Sequence, residues 1–95
     1  MRDYEVMTIH QPDLAEDDVE AKIAELSQQL SNSGASVTKR DLWGKRRFAY
    51  EIDHLTEGYY SVLSFQGDPE TVGEVDRMLT LADDVIRHKI VKIGD

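Results

Sequence analysis

Trp43-Gly44-Lys45-Arg46-Arg47-Phe48-Ala49-Tyr50-Glu51-Ile52 is the stretch on which the reading of this chain turns. Phe48, Tyr50 and Ile52 alternate with Arg47, Ala49 and Glu51, the period of two that marks a half-buried strand. Upstream, Val37 has the opposite parity. A one-residue slip reverses the faces of a strand, so a bulge must intervene if all these residues share a core, and Gly44 is the natural place for it. Downstream, His54-Leu55-Thr56-Glu57-Gly58 reads as a turn. Residues 59–66 then read as a strand with Tyr59, Leu63 and Phe65 on one face and Tyr60, Val62 and Ser64 on the other, which makes a hairpin. The same region concentrates positive charge. Lys39, Arg40, Lys45, Arg46 and Arg47 stand against Asp41 alone, in a chain of net charge −8. An anion, phosphate above all, suits such a loop, because a guanidinium fork matches its oxygens and stays charged.

On the N-terminal side of this hairpin, residues 4–10 read as a first strand, with Tyr4, Val6, Thr8 and His10 on one face and Glu5, Met7 and Ile9 on the other. Pro12 ends it. A helix is expected from residue 14 or 15, with Asp13 and Glu16 as a capping-box pair and Glu16, Asp17 and Asp18 complementing the helix dipole. Val19, Ile23, Leu26 and Leu30 form its apolar stripe, and Asn32-Ser33-Gly34 ends it, Gly34 taking a left-handed backbone. On the C-terminal side, Asp68-Pro69-Glu70 starts a second helix whose stripe is Val72, Val75 and Leu79. Residues 85–93 make the last strand, placing Ile86, His88 and Ile90 opposite Val85, Arg87, Lys89, Val91 and Ile93. The order β-α-β-β-α-β is the α+β, ferredoxin-like split βαβ plan: a four-stranded antiparallel sheet with two helices on one face. The other face of the sheet is then bare. By parity it carries Met7, Ile9, Tyr60, Val62, Arg87, Lys89 and Val91, apolar and basic groups mixed, a surface suited to protein or RNA.

Composition sets the outer bounds. With 95 residues the chain is expected to be one domain, 1–95, with a modest core. It has no cysteine, which excludes disulfides and thiolate chemistry. Neither a signal peptide nor a membrane-length apolar run is present, so a cytoplasmic location is expected. Residues 1–38 carry a net of −6 and residues 39–95 a net of −2, so the charge is segregated and one surface can face an anion while another repels it. His10, His54 and His88 lie on different elements without paired spacing, and no metal or other cofactor is expected. No phosphate loop, serine elbow or histidine pair marks an enzyme, and no small-molecule substrate is expected.

Met1-Arg2-Asp3-Tyr4-Glu5, Pro12-Asp13-Leu14, residues 44–52, Gly58-Tyr59 and Val85-Ile86-Arg87 together resemble the bacterial small-subunit ribosomal protein S6 family, collinearly over the whole chain. The central motif is the most specific part. The resemblance implies a ferredoxin-like fold, a place on the platform of the small ribosomal subunit, contact with the central domain of its rRNA, pairing with ribosomal protein S18, and no catalysis. Carried over by position, it implies that Arg2, Tyr4, Arg46, Arg47 and Arg87 lie at or near the rRNA and partner surface. Phe48 departs from the family's usual leucine, and Asp53 from a common basic residue.

The expected rRNA-binding residues are therefore Arg2, Lys45, Arg46, Arg47, Arg87 and Lys89. The expected partner or rRNA surface adds Tyr4, Met7, Ile9, Trp43, Tyr60, Val62 and Val91. An isolated ferredoxin-like chain with a bare sheet face also fits a self-associating ligand-binding or regulatory module, and the residues alone leave that alternative open.

Overall fold

The structure, a computed structural model, describes residues 2–94. Its elements run β1 (Arg2–His10), α1 (Glu16–Asn32), β2 (Ser36–Ile52), β3 (Leu55–Gly67), α2 (Pro69–Leu81) and β4 (Val85–Ile93). The four strands pair antiparallel in the order β2-β3-β1-β4. Both helices lie on one face of the sheet, the expected α+β plan. Val19, Ile23, Leu26 and Leu30 from α1, with Val75 and Leu79 from α2, pack with Tyr4, Val6, Leu63 and Phe65 of the two central strands. Burying the four α1 side chains contributes roughly 6–12 kcal/mol before the entropy of ordering is subtracted. Thr8 and Ser61 are buried on the same face and hydrogen-bond to each other, so neither hydroxyl is left unpaired.

The start of α1 differs from the expected capping box. Its N-cap is Ala15, with no side-chain cap bond. Leu14, just outside the helix, packs against the cluster that contains Val19, so an apolar staple replaces the Asp13–Glu16 pair. The end is as read. Gly34, at φ +90°, follows the C-cap Ser33; its N–H bonds to Ser31 O at 3.1 Å and that of Ala35 to Leu30 O at 3.0 Å, a Schellman closure.

The hairpin departs most from expectation. The register of β2 on β3 shifts between Val37 and Lys39, between Leu42 and Gly44, and between Arg47 and Ile52, where one irregularity at Gly44 was expected. The turn is Asp53-His54, both at positive φ (50° and 66°), and Leu55–Gly58 already belong to β3. Two left-handed residues give the twist that a two-residue hairpin requires. β1 pairs with β3 only as far as His10 opposite Tyr59, while the hairpin continues to Ile52 and Leu55. Its distal part is therefore an arm that projects beyond β1. Gly58 sits at the arm's base, where an added Cβ would come within 2.8 Å of His10 O. Phe48 and Tyr50, read as core, are not: Phe48 packs edge-on to Tyr60, and Tyr50 is 68% exposed on the arm. A fourth irregularity, between Ile9 and His10 of β1, turns Val85 toward the core beside Ile90, against the parity read from sequence.

Candidate functional site

Register alone assembles the open face of the sheet. Across β2, β3, β1 and β4, Gly44, Tyr60, Ile9 and Arg87 form one row. Asp41, Val62, Met7 and Lys89 form the next, and Lys39, Ser64, Glu5 and Val91 the one after. With strands about 4.8 Å apart, each row is about 14 Å wide. The face is graded along the strands. At the arm end Trp43 stacks on Tyr60 with centroids 6.0 Å apart and planes at 6°, and Phe48 meets the same ring edge-on. Toward the other end Glu5 and Asp3 bring negative charge. Two shallow depressions indent it, one lined by Met7, Val62, Trp43, Lys39 and Asp41, the other by Met7, Ile9, Arg87 and Lys89.

The cations on this face are uncompensated. Among the described residues the ion pairs are Lys22–Asp84 and His88–Asp76, and neither involves Lys39, Arg46, Arg87 or Lys89. All four are exposed. An incoming anion would break no existing pair to reach them. Arg46 is steadied by donating from Nε to Trp43 O at 3.3 Å, which ties the guanidinium to the aromatic patch.

Of the residues expected from sequence, Met7, Tyr60, Val62, Trp43, Val91, Arg87 and Lys89 share this face, with Arg46 at its arm end. Ile9 shares it too but is only 8% exposed, so it supports the surface more than it presents one. Tyr4 does not belong there. It is buried on the helix side, stacked on Phe65 at 5.5 Å, because even-numbered β1 residues face the helices. Lys45 and Arg47 alternate to the other side of the arm: Lys45 Nζ lies 5.2 Å above the Tyr59 ring, and Arg47 is opposite Glu57. Arg2 is opposite Gly67 at the far end of β3 from Gly58, about 30 Å away along the strand. Phe48, Lys39 and Asp41 are additions that sequence did not place here. The three shifts in β2 are the cause, since each changes which residues face outward. Among the described residues no three histidines, aspartates or glutamates come together as metal ligands.

The helix side holds one polar residue of note. His10 is 3% exposed, its Nδ1 has no partner, and burial lowers its pKa below the usual histidine value, the Asp84 charge opposing and the Lys22 charge adding. The imidazole is thus neutral in the fold and protonates more readily in the unfolded chain. Stability is then independent of this group well above pH ~6.5 and falls as pH drops from there toward the depressed folded pKa. Denaturant melts between pH 7.5 and 5 are expected to show this slope, and His10→Gln to flatten it. Asp84 does not enter that window. Burial is the largest single influence and works to raise its pKa, but the bond and charge of Lys22, a backbone hydrogen bond and the nearby His10 together outweigh it and hold the carboxyl below its usual value, so its contribution is lost only at more acid pH.

A family model described as Ribosomal protein S6 matches residues 3–92. The chain is 47% identical over 92 residues to the small ribosomal subunit protein bS6 of Carboxydothermus hydrogenoformans, covering 97% of this chain and 96% of that one. It is 42% identical to the bS6 of Desulforamulus reducens over the full length of both. Among solved structures, the 30S ribosomal protein S6 of Thermotoga maritima superposes with a TM-score of 0.90 at 27% identity, over 96% of this chain and 86% of that one. The C-terminal domain of the Mycobacterium tuberculosis MgtC protein shares the fold at a TM-score of 0.62 and 17% identity, over 97% of this chain and 87% of that one.

Proposed function

The chain belongs to the ribosomal protein S6 family, and from that premise we propose that it is a structural component of the small ribosomal subunit, with no catalytic step. Its finer role is to bind the central domain of the small-subunit rRNA together with ribosomal protein S18, on the subunit platform, in the cytoplasm. The observation that carries this reading is the graded open face: exposed Arg87, Lys89 and Arg46, which make no ion pair among the described residues, beside the Trp43–Tyr60–Phe48 patch. Arginine and lysine supply phosphate contacts, and exposed aromatic and aliphatic groups supply area for a protein partner or an unstacked base.

The charge balance supports cooperation. A chain of net −8 with few cations on one face releases few counterions, so its own affinity for rRNA is low. The partner supplies the remaining positive charge, and each protein raises the other's affinity by the same factor. The test is a titration of a central-domain rRNA fragment with this protein, with and without S18, at two salt concentrations. Tight, salt-sensitive binding is expected only with both proteins present. Equally tight binding by this protein alone would contradict the division of charge. No binding by the folded pair would return the bare face to the self-associating alternative.

A further inference from the structure

The side of the molecule opposite the open sheet carries a groove that the ribosomal reading does not use. α1 and α2 each pack down on the sheet, and a cleft runs between them. Two depressions in it adjoin, with Gln29 and Met78 lining both. Its floor is apolar, made by Ile23, Leu26 and Leu30 from α1 and Val75 and Leu79 from α2. A polar tie closes each end: Lys22 Nζ to Asp84 Oδ2 at 2.9 Å, and Ser33 Oγ donating to Glu74 Oε2 at 3.0 Å. From Lys22 to Ser33 the groove is about 17 Å long at the helical rise, the span of about five extended residues.

The rim is acidic. Glu25 and Glu74 are exposed and, among the described residues, neither has a cation partner, whereas Lys22 is already engaged by Asp84. A polyanion would be repelled here. At one end His10 lines the groove, and its buried Nδ1 has no partner. Met78, partly buried and unbranched, lines both depressions and can repack around an inserted side chain.

We propose that this interhelical groove is a docking site for a short, extended, basic peptide segment of a partner protein, with aliphatic side chains seated in the two depressions and basic ones at Glu25 and Glu74. This inference is independent of the rRNA reading, which uses the opposite face of the sheet.

The probe is the synthetic peptide acetyl-Arg-Leu-Lys-Leu-Arg-Lys-amide, titrated into the full chain and followed by backbone amide NMR. Saturable shifts are expected at Glu25, Gln29, Glu74 and Met78, with those of Met7, Val62 and Lys89 on the open face unmoved. Replacing both leucines of the peptide by glycine is expected to abolish saturation. Glu25→Lys, which breaks no bond of the fold, is expected to weaken binding about tenfold. Glu51→Lys, on the arm, is expected to leave it unchanged. Shifts spread over all the acidic surfaces, equal weakening by Glu51→Lys, retention of binding by the glycine peptide, or no saturation at millimolar peptide would each overturn the proposal.

Discussion

Phe65→Ala is expected to destabilise the fold by about 3–5 kcal/mol, a large part of the ~5–14 kcal/mol that a domain of this size possesses. Phe65 is 1% exposed, sits on a central strand, stacks on Tyr4, and meets both helices through the shared core. Truncation loses the ring's burial and leaves a cavity that the surrounding strands cannot close, since their positions are fixed by the ladders on either side. Thermal denaturation followed by circular dichroism is expected to show a fall in Tm of roughly 15–30 °C. Tyr50→Ala, 68% exposed on the arm, is the matched control and is expected to change Tm by only a few degrees, at most about 0.5 kcal/mol. A small effect of Phe65→Ala would mean that the core lies elsewhere.

The largest functional effect is expected from reversing the two β4 cations. Arg87→Glu with Lys89→Glu removes two uncompensated charges from adjacent rows of the open face and puts acids beside Ile9 and Met7. Binding to the rRNA fragment in the presence of S18 is expected to weaken about a hundredfold at low salt, with the salt slope reduced by about 1.5. Both side chains are exposed and make no ion pair among the described residues, so the melting curve is expected to stay within a few degrees. An unchanged salt slope would remove β4 from the nucleic-acid contact. Arg47→Glu offers a geometric comparison. Arg47 lies opposite Glu57 on the arm's other side, so its reversal is expected to weaken rRNA binding, and by less than the β4 pair.

The elements that could be read without the structure were those whose signal is local. Val19, Ile23, Leu26 and Leu30 declare a helix face at 3.6-residue spacing, Gly34 its left-handed stop, Pro69 the next start, and residues 85–93 their strand. Element order then dictated the split βαβ plan, because few topologies bury two one-faced helices on a four-stranded sheet. Arg87 and Lys89 were correctly assigned to the uncovered face, since β4 stays in register with β1 over that part. The family could be recognised from a different set of stretches, residues 1–5, 12–14, 44–52, 58–59 and 85–87, and the family model matches residues 3–92.

What the sequence did not determine was the full register between strands. Period-two alternation carries no marker for a bulge unless a glycine betrays it; Gly44 did, but the shifts near Thr38 and after Arg47 did not. Each shift reverses the faces beyond it, so Phe48 left the expected core for the aromatic patch and Tyr50 for solvent. Tyr4 lies on the helix side with Val6, Thr8 and His10, as the alternation of β1 reads, and Arg2 shares that parity, so it was the family resemblance and not the periodicity that had put both at the rRNA and partner surface. The interhelical groove is likewise tertiary. Each helix announces its own buried stripe, but the distance left between the helices follows from how both sit on one twisted sheet, a sum of packing contacts that no single segment encodes.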